Sequence, residues 1–240
     1  MTSIVALAPQ HAPDAARLHI AGQPDTFLTS LGPAVLAVLY RALPQSPVGF
    51  GFAALDSKPD SRAVHSPGAQ ENESIVGFVS ATTSVGRLFL EMGTRRLGQF
   101  LPPLCSRFVR NPSLILPSLQ TILYPFIADD GHNHGSAAYS GDARGAELLS
   151  IMVEPDRRGH GLGGQLMQTL LEACLARDLA WLDVTVGADN DGARRFYAGH
   201  GFEQSGDFEL NGRAMCIYHL SLAENPNRAP DKAESPHEHS

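Results

Sequence analysis

The stretch LLSIMVEPDRRGHGLGGQ, residues 148–165, decides how the rest of the chain is read. Its first six residues, Leu148 to Val153, form an apolar run of buried-strand character. Pro155 closes the run, because it has no amide hydrogen to offer a sheet neighbour. Arg157 and Arg158 follow, and then the glycines Gly159, Gly161, Gly163 and Gly164. Beyond them Leu162, Leu166, Met167, Leu170, Leu171, Cys174 and Leu175 recur at three-to-four spacing, which predicts a helix with one apolar face. Strand, glycine loop and helix therefore meet where no side chain covers the backbone amides. The first amides of a helix lack partners within it and carry a partial positive charge, so this junction suits a phosphate.

Several readings compete for the junction. A Walker loop ends in Gly-Lys-Ser/Thr, and here Gly164 is followed by Gln165 and Leu166, so that reading fails. The dinucleotide pattern G-x-G-x-x-G is matched by Gly159, Gly161 and Gly164, with Asp183 about twenty residues on. In that motif, however, the first glycine follows its strand closely, whereas Glu154 to Arg158 intervene here, and Asp183 falls inside the next strand. An ordinary tight turn accounts for one or two glycines, not for four beside an arginine pair. The remaining pattern is Arg/Gln-x-x-G-x-G/A after a Val-x-Pro strand end, filled by Arg158, Gly161 and Gly163. On these residues the chain resembles the GCN5-related N-acetyltransferase (GNAT) family, whose loop cradles the pyrophosphate of coenzyme A.

A second cluster, NDGARRFYAGHGF at residues 190–202, strengthens the resemblance. The family's Asn-x-x-Ala-x-x-Phe-Tyr pattern followed by Gly-Phe is filled by Asn190, Ala193, Phe196, Tyr197, Gly201 and Phe202. The resemblance implies an acyl-CoA fold of the α/β (α+β) class, a mixed central sheet with flanking helices. It also implies a slot between the strands at 148–153 and 181–186, where pantetheine lies as a mock strand. Met152 and Val153 are then expected to contribute main chain, with Val153's amide a candidate to polarise the thioester carbonyl. Arg158, Gly159, His160, Gly161, Leu162, Gly163 and Gly164 would hold the diphosphate, Arg157 could assist, and Asn190 would contact the pantetheine arm or cap its helix. By the same resemblance Tyr197 would hand a proton to the departing thiolate, a phenol (about 10) titrating a little above a thiol (about 8.5); otherwise it is a core aromatic. Glu147 leads as general base, against a surface carboxylate, with Glu91 as a second candidate and Ser150 as a relay through water.

The remaining pattern agrees with that order of elements. Strands are predicted at 3–7, 50–55, 74–83, 181–186, 202–208 and 214–222, the last two around Asn211-Gly212, a hairpin signal. Helices are predicted at 13–21, at 31–43 capped by Thr29 or Ser30, and at 192–200. Residues 1–222 form one domain, 56–73 and 129–145 read as polar connections, and 223–240 as a disordered tail. The departure from the family is an apolar helical insert at about 87–127, between the third and fourth strands. Pro102 and Pro103 should break it, and it carries Arg87, Arg95, Arg96, Arg107 and Arg110 against Glu91.

Net charge of −7 argues against general nucleic-acid binding. Cys105, Cys174 and Cys216, odd in number and scattered, suggest reduced thiols in a cytoplasmic protein. The N-terminus lacks signal-peptide character and no run reaches transmembrane length. No metal is expected: His132 and His134 have no third ligand nearby in sequence, and His237 and His239 belong to the tail. The expectation is an acetyl-CoA-dependent N-acetyltransferase, monomer or homodimer, acting by direct attack of a small-molecule primary amine, with an amino sugar or its nucleotide as one option for the insert's arginines. The alternatives are an acyl-CoA-binding sensor that docks a partner through the insert, and a protein N-acetyltransferase.

Overall fold

The computed structural model describes residues 2–24, 26–56, 74–114, 144–210 and 212–222. Of the connections predicted at 56–73 and 129–145, residues 57–73 and 129–143 lie outside the described residues, as do the later part of the insert, Asn211 and the tail, while Asp56 ends one strand and Gly145 begins another. The sheet runs β1 (Thr2–Ala6), β2 (Gly49–Asp56), β3 (Ile75–Thr82), β4 (Gly145–Val153), β5 (Trp181–Gly187), β6 (Glu203–Leu210) and β7 (Arg213–Ser221), in spatial order β1-β2-β3-β4-β5-β7-β6. The β4–β5 pair is parallel and the others are antiparallel. This is the mixed sheet with flanking helices that the family resemblance implies.

One face of the sheet packs on α1 (Ala12–Gly22) and α3 (Pro33–Ala42), through Leu18, Leu36, Tyr40, Ile75 and Phe78. The other packs on α6 (Leu162–Leu175), whose Leu166, Met167, Leu170 and Cys174 are all fully buried. These are the residues of the three-to-four repeat, so local periodicity sets the buried face. The helix predicted at 31–43 is present as α3, but its expected caps Thr29 and Ser30 do not cap it and belong to a separate turn of helix before it. A one-turn α2 (Phe27–Ser30) takes its cap from Thr26, and α3 begins afresh at Pro33. Gly32, at φ +92°, adopts the left-handed conformation that glycine tolerates, and proline suits a first helical position.

The insert opens with α4 (Val85–Arg95) and α5 (Leu97–Arg110). Pro102 and Pro103 do not break α5, contrary to the sequence expectation. Proline removes an amide donor but its φ is helical. The carbonyls left without donors belong to Gly98 and Gln99, both exposed, so water can serve them. Leu88 and Met92 anchor α4 beside Ala42 and Val48, whereas α5 buries no residue.

Two irregularities mark β4 at one level. Its register with β3 shifts between Ser80↔Ser150 and Ala81↔Leu148, leaving Leu149 as an extra, bulged residue. Its pairing with β5 ends at the same level, at Leu148↔Val184. Beyond that point the two strands diverge, as the sequence reading anticipates.

Candidate active site

The divergence opens a cleft of about 910 Å³. Its walls are β4 from Leu149 to Val153, β5 from Val184 to Gly187, the loop at Arg158 to Gly164, and α7 (Asp191–Gly199) through Ala193, Phe196 and Tyr197. Gly22, Gln23, Pro24 and Thr26, where α1 turns into α2, close one end.

Main-chain polarity along β4 follows from one bond. The Glu154 amide donates to the Val76 carbonyl at 2.9 Å, so residue 154 belongs to the β3 ladder. Antiparallel pairing alternates, and Val153, opposite Gly77, turns its amide and carbonyl away from β3 toward the cleft. Ile151 does the same, while Met152 is committed to β3, with its side chain against Gly22 of α1. Ile151 is thus a cleft-facing residue that the sequence reading did not select. Parity of register would have found it, had the pairing partner been known.

The glycine loop meets the geometry a diphosphate requires. Gly159 (φ +78°) and Gly161 (φ +82°) are both left-handed, and a Cβ added at either would meet nothing within 4 Å. Conformation, not crowding, demands glycine there, and the space above them stays open. Gly161 is the cap residue of α6, whose first turn has no side-chain cap and no acidic residue, so the amides of Leu162, Gly163 and Gly164 stay bare. At Gly163 an added Cβ would lie 3.4 Å from the Phe196 ring, which is how closely α7 approaches this corner. Arg158 lines the cleft and donates from Nε to the Val153 carbonyl at 3.0 Å. His160 turns its ring back, Nδ1–H donating to the Arg158 carbonyl at 2.8 Å. Arg157 is diverted to an ion pair with Asp56 and does not line the cleft.

Tyr197 is buried among Phe196, Phe202 and Tyr218 and borders the cleft. Burial pushes its phenol above the usual range, which keeps it protonated at neutral pH. Asn190 caps α7, its Oδ1 accepting from the Ala193 amide at 3.1 Å, and also borders the cleft.

Glu147 stands in register with Thr82 on β3 and Asp183 on β5, and Asp183 in turn accepts from His219 Nδ1 at 2.6 Å. It lies two residues beyond the cleft-lining Leu149. Burial, and then the charge of Asp183, raise its carboxyl to about 7. Between the ordinary carboxylate range and pH 7 the folded chain binds a proton that the unfolded chain has lost. Stability should therefore fall as pH rises through that window, by on the order of 3 kcal/mol. Glu147→Gln should flatten the fall and raise the melting temperature at pH 8; an unchanged profile would show that Glu147 is solvated. Glu91 accepts from Ser46 at 2.6 Å and pairs with Arg87, away from the cleft. The insert's arginines do not reach the cleft either: Arg107 donates to the Ser30 carbonyl and Arg96 to Gln45, and no described residue of α4 or α5 lines it.

Residues 103–202 match the Acetyltransferase (GNAT) family. An N-acetyltransferase of Methanocaldococcus jannaschii, named as uncharacterized, is 39% identical over 59 residues, 25% of this chain and 26% of its own length. The mycothiol acetyltransferase of Brachybacterium faecium is 38% identical over 63 residues, 26% of this chain and 19% of its own. The matched stretches thus span about a quarter of the first relative and a fifth of the second. Among solved structures, NAA60 of Arabidopsis thaliana in complex with acetyl-CoA superposes with a TM-score of 0.57 over 93% of this chain and 99% of that one, at 13% identity. SsHAT superposes at 0.60 over 93% and 99%, at 19% identity. At such identities the structural likeness concerns the fold.

Proposed function

We propose, from the premise that this chain belongs to the GCN5-related N-acetyltransferase superfamily, that it transfers an acetyl group from acetyl-CoA to the primary amine of a small molecule. The observation carrying this reading is the coincidence of bare α6 amides, two left-handed glycines and Arg158 at one mouth of a cleft whose walls are unpaired strand edges. Acetyl-CoA supplies an acetyl thioester. The chain's residues do the rest: the loop holds the diphosphate through main-chain N–H groups, and Arg158 adds charge. Ile151 and Val153 pair with the pantetheine amides as a strand would. The sequence reading assigns the polarising role to Val153's amide; Ile151's amide lies two residues deeper, nearer the thioester end of the arm.

Tyr197 presents a protonated phenol to the leaving sulfur. Burial keeps that phenol protonated at neutral pH, so it can donate a hydrogen bond to the departing thiolate and stabilise its charge. Glu147, held near 7, is a stronger base than an ordinary carboxylate and serves as the sink for the acceptor's proton, through water across the two-residue gap to the cleft. Release of thiol from acetyl-CoA with a panel of amino sugars, polyamines and peptides tests the proposal. Turnover confined to peptides would replace the small-molecule acceptor by a protein one.

A second reading has one observation in its favour. Helix α5 has no fully buried residue and exposes Leu97, Leu101 and Val109, a surface suited to a partner protein if the chain senses acyl-CoA without transferring it. Tight coenzyme A binding with no thiol release across the panel would favour it.

Asn190 can be assigned by two substitutions. Asn190→Ala removes the cap and should cost about 1 kcal/mol, a drop of roughly 2–4 °C in melting temperature. Asn190→Asp keeps the cap but loses the amide donor that a pantetheine contact uses. It should melt as the parent does and bind coenzyme A more weakly; unchanged binding would leave Asn190 a cap alone.

A further inference from the structure

Beneath the cleft lies a buried polar chain drawn from three elements. The hydroxyls of Ser150 on β4 and Tyr40 on α3 are 3.1 Å apart, and the Tyr40 hydroxyl is 2.5 Å from Nδ1 of His19 on α1. His19 and Tyr40 are each 1% exposed and Ser150 5%. Tyr40 is fixed edge-on against Phe78, ring centroids 4.9 Å apart. His19 Nε2 is buried with no hydrogen-bond partner among the described residues, a cost that an apolar residue would avoid. Packing alone gives no reason for such a chain, and its one outlet is Ser150, which borders the cleft.

The orphaned nitrogen sets the direction of the chain. A buried N–H without an acceptor is rarer than a bare lone pair, so Nε2 carries the lone pair and Nδ1 the hydrogen. His19 then donates to Tyr40, Tyr40 donates to Ser150, and the Ser150 hydrogen is left to donate into the cleft. Each bond in such a series polarises the next. Burial also holds the imidazole neutral, with its pKa pushed down to about 4. The position is apt. The phosphate loop follows the C-terminal end of β4, so an arm running back along the strand reaches Ser150, about 10 Å from Val153, near its reactive end.

We propose that Ser150 is a catalytic residue that donates a hydrogen bond to the acetyl oxygen, and that Tyr40 and His19 are its positioning residues. This rests on the acetyl-transfer reading. As the amine nitrogen bonds the carbonyl carbon and the carbon–sulfur bond breaks, with its electron pair leaving on sulfur, charge collects on that oxygen and Ser150 stabilises it. No proton moves along the chain.

Kinetics and imidazole nitrogen NMR test it together. Ser150→Ala should lower kcat about 100-fold with acetyl-CoA affinity unchanged, the usual loss for one such donor. Tyr40→Phe, which keeps the packing, should lower kcat to a lesser degree, and the double variant should be no worse than Ser150→Ala, because the residues act as a unit. In the unmodified chain His19 should show a protonated Nδ1, and its signals should shift with acetyl-CoA but not with coenzyme A; Ser150→Ala should abolish the shift. Full turnover by Ser150→Ala overturns the proposal, as do His19 signals unmoved when acetyl-CoA is bound. If acetyl-CoA does not bind the unmodified chain, it is the acetyl-transfer reading that fails, and this inference falls with it.

Discussion

Gly161→Val is expected to abolish saturable coenzyme A binding while leaving the chain folded. Gly161 is left-handed at φ +82°, and a β-branched side chain there costs about 1–3 kcal/mol in backbone strain. That is a fraction of the roughly 5–15 kcal/mol by which domains are stable, and residue 161 is exposed and outside the core. Relief of the strain requires the loop to move, which takes the α6 amides out of line. If it does not move, the branched side chain fills the open space where a phosphate would sit. Either route removes several main-chain donors at once, a loss of at least about 100-fold in affinity. Gly164→Ala is the control. Its φ is not left-handed, and the new Cβ would lie 3.6 Å from His200 Nε2, an ordinary contact. Calorimetric titration of both variants should show binding lost in the first and retained in the second. Equal binding by Gly161→Val would place the diphosphate elsewhere.

Tyr197→Phe should lower kcat by about 10²-fold or more, within the range for a positioned proton donor, with little change in acetyl-CoA affinity. The ring is packed on three sides by aromatics, so phenylalanine keeps the core. Only the hydroxyl is lost, and among the described residues it has no hydrogen-bond partner to leave stranded. The deficit should shrink with an acyl thioester of a more acidic thiol, which needs less help to depart. Unchanged turnover with acetyl-CoA would show that another group meets the sulfur.

Much of this site was legible in the sequence because its requirements are local. Gly159 and Gly161 answer to their own φ angles, and the apolar face of α6 answers to helical period, so both are written in neighbouring residues. Tyr197 and Asn190 sit one helix on, in a spacing fixed by the same period. What escaped depends on distant pairing. The cleft-facing role of Ile151 follows from which residue of β4 bonds to Val76, 78 positions from Glu154, and the diversion of Arg157 follows from Asp56. The His19–Tyr40–Ser150 chain depends on a bond between residues 110 positions apart that share no motif. Pro102 and Pro103 misled for a different reason: a helix exposed to water tolerates unpaired carbonyls that a buried one would not.

The most direct test compares binding of coenzyme A with pantetheine, which lacks the diphosphate, and with NAD, which has a diphosphate but no pantetheine arm. The bare amides at 158–164 together with the open strand edges predict saturable coenzyme A binding, on the order of micromolar to millimolar, with pantetheine at least about 100-fold weaker and NAD not held. Pantetheine binding as tightly as coenzyme A, or NAD binding more tightly, would contradict the account.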